Sequence, residues 1–157
     1  MRRVILVFIL MLCVASLRAE GVERTTFHYA TKQSEELYLD RYTTNTKSTE
    51  LRPCMIFAFG GGFVQGARDH EYYSEYFRRL AKAGIVVVSI DYRLGLKTLP
   101  KEGGVVAMIG AFDNAVNIAV EDLYSATNYV LSNAEEWVLF FATFCSCGSA
   151  SIRSAIF

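Results

Sequence analysis

An α/β fold is predicted for this 157-residue chain, from three observations. Short segments of alternating polarity open it in the manner of a β-meander. Apolar runs of strand length then alternate with stretches of helical periodicity. One of those runs, Ile85 to Ile90, is β-branched throughout except for one Ser, so both of its faces read as buried, as in a parallel sheet covered by helices.

Thr25 to Ala30 reads as a short strand with Phe27 and Tyr29 on one face, and Glu36 to Tyr42 as a second, with Leu37 and Leu39 set against polar Asp40 and Arg41. Thr43 to Thr49 is a polar turn region. Pro53 to Phe59 is a third, mostly apolar strand that runs directly into Gly60-Gly61-Gly62. A helix is predicted over Glu71 to Ala83, with Asp69 as N-cap and Gly84 at the left-handed C-terminal position. Tyr73, Phe77 and Leu80 form its apolar face; Glu75, Arg78, Arg79 and Lys82 form the other. The strand Ile85 to Ile90 follows. Leu94 to Gly104 is a loop broken by Gly95, Pro100, Gly103 and Gly104. A long helix is predicted over Phe112 to Trp137, its regular part starting near Asp113 and Asn114, and a last strand over Val138 to Cys145.

Met1-Arg2-Arg3, the 12-residue apolar run Val4 to Ala15 and the small residue Ala19 follow the plan of a secretory signal peptide. Residues 1–19 are therefore expected to be removed and residues 20–157 exported, to a periplasmic or extracellular space. The alternative is a membrane anchor left uncleaved. The run is shorter than the ~20 residues a membrane span needs, and no stable span is expected after its removal. Cys54, Cys145 and Cys147 remain, an odd number that defines no clean disulfide framework. Formal net charge is zero, from 16 basic and 16 acidic residues, which argues against a nucleic-acid partner. With 2 His and 4 Cys in all, no rich metal site is expected.

Phe59-Gly60-Gly61-Gly62-Phe63 is the strongest local signal. Three glycines strip side chains from a turn, so backbone N–H groups can approach a small anionic centre. Where that centre is the oxyanion of acyl transfer, each donor contributes roughly 3 kcal/mol. Gly60, Gly62 and Gly66 only loosely echo a dinucleotide-binding loop, and no acid stands about 20 residues on at a strand end. A purely structural turn is the other alternative. The second signal is Ser89-Ile90-Asp91-Tyr92-Arg93-Leu94, at the end of the next strand.

Together these motifs resemble the α/β-hydrolase superfamily, in its carboxylesterase and lipase branch, over roughly Thr25 to Trp137. The resemblance implies an incomplete α/β-hydrolase-type sheet and no metal or organic cofactor. It implies oxyanion-hole donors at the Gly61 and Gly62 backbone N–H groups. Phe59 stands where the family's His usually stands. Asp91 and Arg93 are expected to be architectural and ion-paired, and Asp122 to be an acid on a helix face rather than a catalytic one.

Beyond Trp137 the family continues with a strand and the nucleophile elbow Gly-x-Ser-x-Gly, whereas residues 138–157 depart from that pattern. The nearest approximation is Cys147-Gly148-Ser149-Ala150-Ser151, which makes Ser149 a candidate nucleophile by position alone. Cys145 and Cys147 are weaker candidates, with no base indicated nearby. No Asp, Glu or His follows Ser149, and His28 and His70 match no family base position. The expectation is an exported carboxylesterase-like hydrolase, truncated or frameshifted, acting on a small-molecule ester if active. A non-catalytic remnant or binding module is the rival.

Overall fold

In the computed structural model, residues 21–45, 49–98 and 102–145 are described. They form β1 (Val22–Lys32), β2 (Glu35–Thr44), β3 (Arg52–Ala58), α1 (Glu71–Lys82), β4 (Val86–Ile90), α2 (Gly104–Ser132) and β5 (Leu139–Cys145). The predicted order of strands and helices is the order observed.

The five strands make one mixed sheet in the order β1-β2-β4-β3-β5. β1 and β2 are an antiparallel hairpin whose two linking residues, Gln33 and Ser34, both take positive φ, 50° and 66°. That is the conformation a two-residue hairpin turn demands. β2 pairs antiparallel with β4, setting Leu39 beside Ile90 and Asp40 beside Ser89. β3 lies between β4 and β5 and is parallel to both. Every residue of β4 is buried, as its β-branched run predicts.

Strand alternation assigns the helices to opposite faces. Tyr42 and Phe57 carry α1, their rings lying 5.2 and 4.9 Å from that of Phe77. Leu39 and Phe27, paired in register on the other face, lie under the end of α2 and the turn beyond it. There Phe27 meets Tyr129 and Trp137 at 6.5 and 5.0 Å.

Three sequence expectations are corrected. α2 starts at Gly104, eight residues before Phe112, and ends at Ser132, short of Trp137. Its start carries no capping side chain: Gly103 and Gly104 turn the chain with φ of 95° and 58°, and no acidic residue occupies the first turn. A helix start without those signals is invisible to cap rules. The N-cap of α1 is His70, not Asp69; its Nδ1 accepts from Tyr72 N–H at 3.2 Å. Asp40, set against Leu37 and Leu39 as the polar side of β2, is as fully buried as Leu39. Gly84 does take the left-handed C-terminal position, with φ of 88°.

The first two turns of α2 leave Val105, Val106 and Ile109 exposed. By length and composition α2 is long and apolar enough to cross a membrane.

Candidate functional site

The site forms where parallel strands β3 and β4 end. β3 hands the chain to Gly60; β4 hands it to Asp91. Both sequence motifs therefore emerge side by side at one edge of the sheet. β5 is parallel to β3, so the chain also leaves β5 at this end. Ser149 and Cys147 lie outside the described residues, as do the departures at 146–157; of Cys145 only the strand backbone is described.

The glycine loop is a tight turn. The Gly61 carbonyl accepts from Val64 N–H at 3.2 Å and Gln65 N–H at 3.4 Å. A Cβ on Gly61 would stand 1.7 Å from the Gln65 carbonyl oxygen, so no side chain fits. Gly62 and Phe63 follow with φ near 64° and 63°. A left-handed Phe is uncommon, and packing holds it in place: its carbonyl accepts from Leu96 N–H at 2.9 Å and its ring meets that of Phe112 at 5.7 Å. The N–H groups of Gly61 and Gly62 donate to no described residue.

Behind the loop lies an apolar cavity of about 110 Å³, bounded by Gly60, Gly61 and Gly62, by Phe63 and Tyr92, and by Phe112 and Leu123 of α2. Two backbone donors unpaired among the described residues, beside an apolar recess, suit an acyl group whose carbonyl oxygen gains charge.

The two motifs are physically joined. Tyr92 lies between Phe59 and Phe63, and Phe59 fills the position where the resemblance leads one to expect His. A Cβ on Gly66, which has φ of 131°, would stand 2.3 Å from the Phe59 ring, so Gly66 makes room for it. Sequence reasoning missed this role of Gly66.

Ion pairs fix the rest of the sheet edge. Asp91 and Arg93 are paired, as expected, though not with each other. Arg93 grips Asp122: Nε lies 2.9 Å from Oδ2 and Nη2 2.7 Å from Oδ1, while the Arg93 N–H also donates to Oδ2 at 2.9 Å. Glu121 and Lys32 complete this cluster. The hydrogen bonds it donates to Asp122 hold the Arg93 guanidinium above its ordinary pKa. Asp122 stands on α2, as expected, and is a fully buried tie between that helix and the segment that follows β4. Asp91 pairs with Arg68, and burial pushes its carboxyl above the ordinary range against the pull of that guanidinium. Arg68 also reaches Asp40 at 3.1 Å, and Asp40 receives Arg24 at 2.8 Å and Thr26 Oγ1 at 2.6 Å. Tyr29 donates to the Asp91 carbonyl at 2.7 Å.

Both histidines make local hydrogen bonds. His28 bonds Thr31 on the hairpin at 2.9 Å. His70 caps α1, and it lines a second cavity that Gly60 and Gly61 also border. Cys54, buried in β3, has its thiol pushed up to about 12 by burial, which disfavours the nucleophilic thiolate. Among the described residues no cluster of three or more metal-ligating side chains occurs.

Comparison with known proteins agrees with the fold. The chain is 30% identical to gut esterase 1 of Caenorhabditis elegans over 93 residues, 58% of this chain and 15% of that protein. It is 40% identical to the gibberellin receptor GID1B of Arabidopsis thaliana over 52 residues, 32% of this chain and 14% of the receptor. The chain thus spans less than a sixth of either relative. Among solved structures, brefeldin A esterase, described as a bacterial homologue of human hormone sensitive lipase, superposes with a TM-score of 0.60 at 20% identity. The match covers 83% of this chain and 33% of that one. That likeness shows the α/β-hydrolase fold. A model of the carboxylesterase family matches residues 14–133, three quarters of the sequence, and the chain belongs to that family.

Proposed function

We propose that this chain carries the oxyanion-binding half of an exported carboxylic-ester hydrolase. One observation carries the reading: the Gly61 and Gly62 N–H groups are unpaired among the described residues and border an apolar cavity. In an ester hydrolase such donors stabilise the tetrahedral oxyanion after attack by a serine. Ser149 is the residue proposed for that attack, on its position just past β5. The acid and His that would complete a triad in the chain order of this family do not occur between Ser149 and Phe157. Residues 1–157 tested alone are proposed to bind esters and not to turn them over.

The test has two parts. Butyrate, a carboxylate that mimics an acyl product, is titrated into isotope-labelled protein. The Gly61 and Gly62 amide resonances should shift more than those of any other loop. Turnover of p-nitrophenyl butyrate should not exceed that of a heat-treated control. Turnover that Ser149→Ala abolishes would overturn the proposed inactivity and assign the nucleophile. Absent amide shifts would overturn the oxyanion reading.

A frameshift past Trp137 is proposed as the origin of the 138–157 tail. Another reading frame of the underlying DNA should encode Gly-x-Ser-x-Gly within about 10 to 15 codons, the length of a strand and turn. Three frames without that motif would overturn it.

A second reading, a binding module without turnover, is favoured by the similarity to a receptor over 52 residues. In that case the loop holds no ester oxyanion, and butyrate should leave the Gly61 and Gly62 amides unshifted.

A further inference from the structure

The glycine loop borders a second space, different in character from the first. This cavity, about 370 Å³, is walled by Gly60 and Gly61, by Gln65 and His70, and by Tyr72 and Tyr73 of α1. A groove of about 530 Å³ continues across the same two tyrosines to Glu75, Tyr76 and Arg79. Tyr72 and Tyr76 are one helical turn apart, so they share a face. They are 79% and 54% exposed, which is unusual for rings of this size. The Tyr72 and Tyr73 rings meet edge to face at 5.4 Å.

Tyrosine offers an apolar face and a polar tip while losing little conformational freedom, which suits it to ligands that have both. The rim adds polar groups. Glu75 and Arg79 pair at 3.2 Å along one turn of α1. His70 accepts at Nδ1 from Tyr72 N–H, so in the neutral ring Nε2 carries the proton and is a donor. Exposed tyrosine rings with donors and acceptors beside them match a sugar ring, which has C–H faces and a hydroxyl rim. An aryl group or an alkyl chain would leave the rim unused. Volumes of about 370 and 530 Å³ take more than one ring, since ~150 Å³ already holds benzene. By contrast, the apolar cavity of 110 Å³ is smaller than the ~150 Å³ apolar cavity that holds benzene, so it takes an acyl group of only a few carbons.

We propose that the groove of Tyr72, Tyr73 and Tyr76 binds the alcohol portion of the substrate, and that the substrate is a short-acyl ester of an oligosaccharide. The proposal rests on the esterase reading above. It assigns one side of the glycine loop to the acyl group and the other to the sugar.

The test needs no turnover. Acetylated xylotriose and plain xylotriose are titrated against the full chain, with saturation transfer to ring C–H protons as the readout and circular dichroism as the check on folding. Both sugars should bind, the acetylated one more tightly. The double variant Tyr72→Ala, Tyr76→Ala should weaken binding about tenfold or more, whereas Tyr72→Phe, Tyr76→Phe should stay within about twofold. Sugar that does not bind, or that binds the folded Ala variant unchanged, overturns this inference. It leaves the esterase reading intact if butyrate still shifts Gly61 and Gly62. Loss of the butyrate shifts overturns the esterase reading, and the substrate assignment falls with it.

Discussion

The Tyr92 hydroxyl donates to the Phe59 carbonyl oxygen at 2.7 Å, and the two rings stack at 4.4 Å. The residues are 33 positions apart, yet this contact couples the end of β4 to the entry of the glycine loop. It offers a way to hold the loop without the imidazole that the family usually places at residue 59.

Tyr92→Phe tests that coupling. The change keeps the stacked ring and leaves the buried Phe59 carbonyl without its donor. It should lower stability by about 1–2 kcal/mol in urea denaturation, with the secondary structure unchanged. The Gly61 and Gly62 amide resonances should broaden or shift, because their loop loses its brace.

Two glycine substitutions separate close packing from backbone strain. Gly66→Ala drives a methyl group into the Phe59 ring at a positive φ and should destabilise by about 1–3 kcal/mol. Gly84→Ala meets open space at φ of 88° and should cost about 1 kcal/mol. Equal losses in thermal and urea denaturation would show that the Phe59 contact exerts no force.

Asp122→Ala removes the buried partner of the Arg93 guanidinium, which is 6% exposed, and leaves it only the exposed Glu121 carboxylate. Removing one partner of a buried pair costs about 3–5 kcal/mol, so this variant should be far less stable or unfolded at room temperature. A stable Asp122→Ala protein would show that Asp122 is not the structural tie between α2 and the segment that follows β4.

Asp91 gives a pH signature. Its carboxyl is held above the ordinary value, so the native chain binds this proton more tightly than the unfolded chain. Its contribution to stability therefore falls as pH rises from the ordinary carboxyl range through the raised value. Asp91→Asn removes the titration, and the variant should gain on the parent as pH rises through that window. Glu121, held below its ordinary value first by Lys32 and then by Arg93, titrates in both proteins and cancels. A difference that stays flat with pH would contradict the raised value.

Export is checked by N-terminal sequencing of protein recovered outside the cytoplasm. The sequence should begin just after Ala19. An intact Met1 on a membrane-bound product would instead favour the uncleaved anchor.

Periodicity along the chain was enough to read the strands and helices in order, because burial on one face or both imposes a spacing that single residues report. The paired motifs were also legible. Gly60-Gly61-Gly62 and Asp91-Tyr92-Arg93 each sit at the end of an apolar strand, and parallel strands that end together bring their loops together. The start of α2 was not legible. It rests on two glycines and an uncharged apolar turn, which carry neither a cap nor an amphipathic stripe.

The partners of charged residues were settled only by tertiary structure. Asp40 and Asp122 have the local pattern of surface acids, yet both are fully buried, because Arg24 and Arg68 reach one and Arg93 and Lys32 the other across the sheet edge. Such pairs join residues 16 to 90 positions apart, and no local periodicity encodes them. The same holds for the site. The sequence by itself determined that a glycine turn follows β3, since three glycines permit little else. That its two N–H groups border an apolar cavity closed by Phe112, and that Tyr92 braces the loop, depended on α2 and β4 folding back over it. Only packing brings those side chains within reach.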